Sequence, residues 1–247
     1  MSASDNNAVK KGAYHQLEGP TPADYGYLTS AKFIKHMIKG MGADKATAQI
    51  CAFEVAPDKV AAIKEQATQG SDVPFVSTND ILTSHFFGAS NASLGMMTIN
   101  QRGRVLQGQL TDLHAGNYKG TLILDPTNYE QAADIREALT KGPPFTRQRL
   151  GPPLPGFCGK CPGAFISNWA SFPFKLEFTT TLHLPLLPPM KLGGDFKSYP
   201  MDVALVFRPQ PGKLAVLYIT KRASRANLTA SGSPLGASVS DTIFPPP

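Results

Sequence analysis

No stretch of this 247-residue sequence approaches the roughly 20 consecutive apolar residues that a helix needs to cross a bilayer. Leu182–Leu187 and Leu214–Thr220 come nearest and are interrupted or too short, so no membrane span is expected. The first residues, Met1–Gly12, lack the apolar core of a secretory signal, although a processed mature start has the same look. Compartment therefore stays open among soluble intracellular and organellar settings. Cysteine is scarce, with three residues, too few for a disulfide framework. Cys158 and Cys161 form a Cys-Gly-Lys-Cys pair, a spacing that serves a redox dithiol or half a zinc site. No second pair or close histidine cluster completes four ligands, and the motif falls in a Gly/Pro loop rather than at a helix N-terminus. It reads as two loop cysteines, and neither a metal nor a cofactor is expected.

Charge of one sign is in modest excess, at a net +6. The densest basic groups, Lys10/Lys11, Arg147/Arg149 and Lys221/Arg222/Arg225, are short and lack interleaved aromatics, which argues against nucleic acid. A solvated basic surface, an acidic partner, a membrane surface or a CoA-like phosphate accounts for the same charge. Also missing are a Gly-x-Ser-x-Gly elbow, a phosphate-cradling loop ending in Lys-Ser/Thr, and a His-Glu-x-x-His helix.

What is present is a 42% hydrophobic content, ordinary for one folded domain. A polar arm over 1–20 precedes Thr21-Pro22, a helix start, and Ala23–Lys39 carries Tyr27, Phe33, Ile34, Met37 and Ile38 at helical spacing. Ala48–Val55 reads as a strand, and Pro57 opens a helix through Thr68 with Val60, Ile63 and Ala67 as its apolar stripe. Ser77 or Thr78 caps a helix over Asn79–Ala89, with Asp80 in its first turn. Leu94–Gln101 and Gly120–Leu124 are strands, and Thr127 with Glu130 forms a capping box for a helix over Asn128–Thr140. The prolines and glycines of 141–163 forbid regular structure there. Beyond it Ala164–Trp169, Lys175–Leu184, Met201–Arg208 and Lys213–Thr220 are β-rich, the last two joined as a hairpin by Pro209-Gln210-Pro211-Gly212. The Ser/Ala/Gly-rich stretch 221–247 reads as a flexible tail, in which Ile243 and Phe244 are the residues that would order against a partner. The expectation is an α/β domain over 21–220 between a flexible arm and tail, with a β-rich C-terminal part.

The segment Val76-Ser77-Thr78-Asn79-Asp80-Ile81-Leu82-Thr83 resembles the Ser-Thr-Asn-Asp-x-Leu-Thr signature in the C-terminal half of BAHD acyltransferases. Its surroundings agree in order. Phe53–Thr68 is similar to the strand and helix before the signature, and Met97–Arg104 to the strand and Arg-containing turn after it. Ala115-Gly116-Asn117-Tyr118 resembles a Gly-Asn strand entry, and Ser167-Asn168-Trp169-Ala170-Ser171-Phe172-Pro173-Phe174 a Ser/Asn-Trp segment. The resemblance covers about residues 45–220 and implies a single lobe of the chloramphenicol-acetyltransferase-like fold, a mixed sheet with helices packed on one face. Enzymes of that kind hold CoA and acceptor in a channel between two lobes. By motif position the resemblance makes Thr78, Asn79, Asp80, His85, Arg104 and Asn117 candidate channel or ligand contacts.

The family's chemistry needs a histidine in His-x-x-x-Asp as general base on the acceptor. Four positions after the five histidines, at 15, 36, 85, 114 and 183, stand Gly19, Gly40, Ala89, Tyr118 and Leu187, so the motif is absent. The family's late Asp-Phe-Gly-Trp-Gly motif aligns with Glu177-Phe178-Thr179-Thr180-Thr181, where β-branched residues replace permissive glycines. No catalytic residue is named. His85 and His114 are substitute bases only if they face the old channel, and packing is the commoner fate of such histidines. Asn79 and Asp80 are read first as helix-capping residues, and Arg102 and Arg104 as solvated.

Three readings follow from the resemblance. The leading one is a pseudo-enzyme lobe, a structural or binding subunit of a larger assembly or homodimer, with peripheral association with a membrane complex, such as one in a plastid, left open. The second is half of an acyl-CoA-dependent acyltransferase completed by a separate lobe. The third is a carrier of a small hydrophobic molecule.

Overall fold

The computed structural model describes residues 48–100, 102, 119–140, 163–170 and 201–239. The expected helix over 23–39, the strand over 175–184, the cysteine pair and the arm over 1–20 lie outside these residues. So do Arg104, Asn117, Ile243 and Phe244.

The described residues form one seven-stranded mixed sheet in the order β3-β2-β4-β5-β6-β1-β7. The strands are β1 (Gln49–Val55), β2 (Leu94–Asn100), β3 (Lys119–Leu124), β4 (Gly163–Asn168), β5 (Asp202–Phe207), β6 (Ala215–Thr220) and β7 (Leu235–Ser238). β2, β4 and β5 run parallel to one another. The remaining pairings, β2 with β3, β5 with β6, β6 with β1 and β1 with β7, are antiparallel.

Both central antiparallel strands are apolar on both faces, and the pleat divides their side chains between two clusters. Ala204, Val206, Val216 and Tyr218 join the helix-bearing face, with Cys51 and Phe53 of β1. Val203, Leu205, Phe207, Ala215, Leu217 and Ile219 join the other, with Ala52. The described core residues of that second cluster all come from strands. Every described helix packs on the first face: α1 (Pro57–Thr68), α2 (Thr78–Ala89), α3 (Pro126–Tyr129), α4 (Ala132–Thr140) and α5 (Arg225–Leu228). The mixed α/β class, the helices on one face and the β-rich C-terminal part match the sequence-based expectation.

α1 begins at Pro57, where the missing N–H costs nothing, and buries Val60. α2 carries a full capping box: the Asp80 amide donates to Ser77 Oγ at 3.2 Å and the Ser77 amide to Asp80 Oδ2 at 2.8 Å. The β5–β6 hairpin turns where Gly212 adopts φ +77°, a conformation that favours glycine.

Two expectations are corrected. The helix expected over Asn128–Thr140 is split into α3 and α4, and its cap is Asp125 rather than the Thr127/Glu130 box. Asp125 Oδ1 accepts from the Thr127 amide at 3.0 Å and from its hydroxyl at 2.7 Å, and Pro126 fills the first helical position. The stretch 221–247, expected as a flexible tail, holds α5 and the edge strand β7 within 221–239. Its order comes from backbone hydrogen bonding and from two buried leucines, Leu228 and Leu235, which average composition does not reveal.

At Gly95 in β2 an added Cβ would meet Cδ2 and Cε2 of Phe87 at 2.5 Å, and Phe87 is wholly buried, so the ring or the strand must shift. Gly95→Ala is therefore expected to cost about 1–3 kcal/mol of stability, read from its urea midpoint.

Candidate functional site

The N-terminus of α2 meets the carboxyl end of β4, which runs parallel to both of its neighbours, β2 and β5, and the carboxyl ends of parallel strands commonly carry ligand sites. Four residues make the junction. Asn79 Oδ1 accepts from Asn168 Nδ2 at 3.0 Å, and Asn168 Oδ1 accepts from the Ala170 amide at 2.9 Å. Asp80 is fully buried, and its Oδ2 takes Arg136 Nε at 2.8 Å and Nη2 at 2.7 Å besides the Ser77 amide. Arg136 comes from α4, its side chain 12% exposed, with its guanidinium 4.6 Å from the ring centroid of Phe75. Phe75 is itself half exposed. Thr83 Oγ1 donates to the Asn79 carbonyl at 2.7 Å, tying down the first turn.

This geometry spends its polar atoms on the fold. Asp80 caps a helix and neutralises a guanidinium, and its Oδ1 has no partner among the described residues. The two asparagine side chains hold each other and a loop amide. The junction brings together Asn79 and Asp80 from the sequence-derived set, with Thr78 half-buried beside them at the first helical position. Arg136 and Asn168 were missed as site residues. Asn168 stood in the Ser/Asn-Trp segment, and its pairing residue 89 positions earlier gives no local signal. Arg136 shows only as a charge on an amphipathic helix.

His85 is separate from this junction. It lies six residues beyond Asn79, roughly 9 Å along the helix axis. There it is half-buried and faces the Leu228 carbonyl of α5. Burial pushes its pKa down from 6.5 to about 4, against the smaller opposing pull of that carbonyl. The imidazole is thus neutral near pH 7 and acts as packing between α2 and α5, a weak base for any acceptor hydroxyl. Because the folded pKa lies below the unfolded one, the unfolded chain binds the extra proton first. The stability held above about pH 6.5 is expected to drain as pH falls from 6.5 toward 4. Urea midpoints measured from pH 7.5 to 4.5 should show a slope in the parent that is reduced in His85→Gln.

The other buried nucleophile, Cys51, faces the core and has its thiol pushed up to about 11 by burial, with Arg225 pulling weakly the other way. That is the environment of an inert thiol. Among the described residues no group of three or more His, Cys, Asp or Glu side chains is placed to hold a metal ion. No described helix is long and apolar enough to cross a membrane.

No protein-family model and no curated protein matches the sequence. Among solved structures, the chain is similar to TRI101 of F. sporotrichioides complexed with coenzyme A and T-2, at 17% identity and TM-score 0.48, covering 76% of this chain and 49% of that one. It is also similar to vinorine synthase, at 12% identity and TM-score 0.42, covering 78% of this chain and 47% of that one. A third is the first condensation domain of the CDA synthetase, at 12% identity and TM-score 0.34, covering 79% and 46%. The chain thus spans about half the length of the solved structures it matches. At these scores the likeness assigns neither an activity nor a substrate to it.

Proposed function

We propose that this chain is an acyltransferase-like lobe that works without chemistry of its own, as a structural or binding subunit of a larger assembly. The observation that supports this reading is the fate of Asp80 in the Ser-Thr-Asn-Asp segment, bound on one oxygen by the Ser77 amide and by two nitrogens of Arg136. A carboxylate so engaged holds α2 to α4 and is poorly placed to move a proton. His85, neutral and turned to α5, supports the same reading. In this proposal the lobe extends to the end of β7 at Ser238, and Ile243 and Phe244 are the segment offered to a partner.

The test is affinity purification of the endogenous protein from gently lysed cells, followed by acyl-CoA transfer and hydrolysis assays on what is recovered. Travel as a fixed component of a complex, with acyl transfer unchanged when the subunit is depleted, supports the proposal. Recovery with a chain bearing His-x-x-x-Asp, the pair together transferring acyl groups, overturns it in favour of half an enzyme. Recovery with a stoichiometric hydrophobic small molecule and no protein partner overturns it in favour of a carrier.

A further inference from the structure

The sheet has a second face, turned away from every described helix, and it is apolar across most of its width. One row of paired residues crosses six strands: Ile123, Met96, Phe165, Val203, Ile219 and Ile50. In the next row Leu205 and Leu217 stand opposite each other, each 2% exposed. Neighbours within a sheet flank a side chain but leave its outer end open, so burial this deep needs a second layer, packed about 10 Å away. The described residues on this face all lie in strands or within one residue of a strand end. The covering layer therefore comes from chain outside the described residues.

Topology says which part of the chain that is. β4 and β5 are adjacent and parallel, so the connection between Ala170 and Met201 has to travel back along the strands over one face of the sheet. β1 is also parallel to β2, through two antiparallel steps from β5, and is joined to it by α1 and α2 on the helix-bearing face. That connection steps along the sheet toward β3, whereas the one from β4 to β5 steps toward β7. Crossovers are right-handed almost without exception, and two of the same hand that step in opposite directions lie on opposite faces. Both ends of the β4–β5 connection also lean on the second cluster, through Trp169 and Met201. Its sequence suits the place. Over Lys175–Leu184 the apolar residues Leu176, Phe178, Leu182 and Leu184 all fall on even positions, and Lys175, Glu177, Thr179, Thr181 and His183 fill the odd ones. That is the period-two pattern of a strand with one buried side. We propose that 175–184 lies extended over the second face, with Leu176, Phe178, Leu182 and Leu184 on the row that centres on Val203 and on Leu205 and Leu217. Ten extended residues reach about 33 Å, more than the length of the strands beneath. A face occupied in this way is closed to a partner or a second copy, which directs docking to other surfaces. The inference does not depend on the function proposed above.

The experiment is methyl NMR on the full, unmutated chain, labelled at leucine, valine, isoleucine and methionine. Nuclear Overhauser contacts from Leu182 and Leu184 to Val203, Leu205 or Leu217 are expected within one molecule. Contacts to those three residues from Ile34, Met37 and Ile38 instead would give the face to the amphipathic stretch 23–39 and overturn the proposal. Contacts seen only between differently labelled molecules overturn it in favour of a second copy, and an absence of contacts from 175–184 overturns it outright. Substitution supplies an independent reading. Leu182→Ala should raise the unfolding constant in urea about thirtyfold or more. His183→Ala, on the opposite side of the same segment, should change it by no more than about twofold. Equal effects of the two would show that the segment has no buried side, against the proposal.

Discussion

Asp202→Ala is expected to lower stability by about 3–4 kcal/mol, because it orphans several backbone donors at once. Asp202 opens β5 and is fully buried. Its Oδ1 accepts from the Lys221 amide at 2.8 Å and, at 3.4 Å, from that of Arg222, while its Oδ2 accepts from the Ala223 amide at 3.0 Å. From the other side Thr220 Oγ1 donates to the Ala223 carbonyl at 2.6 Å. The turn that leaves β6 is therefore closed by side chains of two neighbouring strands, and everything after it depends on that closure. Ser233 Oγ donates to the Leu228 carbonyl at 2.6 Å, Lys59 Nζ to that of Leu235 at 2.8 Å, and β7 pairs with β1. Asp202→Asn is expected to rescue little, since one acceptor becomes a donor facing a donor. Urea unfolding reads the loss, and hydrogen exchange at the amides of Leu228 and Leu235 reads its place. A variant with an unchanged midpoint and parental exchange at those amides would show that the turn is held by other means.

The same residues show where sequence reading stops. α2 was legible because its cap is local: Ser77 and Asp80 stand three apart and bond each other. α1 was legible from Pro57 and an apolar stripe, and β5 and β6 from continuous apolar runs that only a strand buried on both faces needs. The α3–α4 split was not, because Thr127 and Glu130 fit a capping box as well as Asp125 and Pro126 fit a cap. β7, Leu-Gly-Ala-Ser, has no strand pattern of its own; it is a strand because β1 offers an open edge. The same limit applies to the site. Asp80 and Arg136 are 56 positions apart and Asn79 and Asn168 are 89 apart, so no spacing rule joins them. Capping and spacing put His85 on its helix, but the element it faces, Arg225–Leu228, has the composition of a tail.

Arg136→Ala should be the most damaging change near the candidate site, at about 4 kcal/mol, since it strands a buried carboxylate. The asymmetry of the pair decides this. Asp80 is fully buried, whereas the Arg136 side chain keeps 12% of its surface exposed. A guanidinium without its partner reaches water, but a carboxylate without its partner does not, and Asp80 Oδ1 already has no partner among the described residues. Asp80→Asn alone is therefore expected to cost less, about 1–2 kcal/mol, and in the Arg136→Ala background it should recover more than half of the loss by removing the stranded charge. Arg136→Lys falls between, because one ammonium cannot replace Nε and Nη2 together while keeping a cation over the Phe75 ring. A double-mutant cycle in urea measures the coupling. Equal single losses that simply add would mean that the two side chains act separately. Asp80 would then be released from its structural role, and its place in the proposed non-catalytic lobe would have to be argued again.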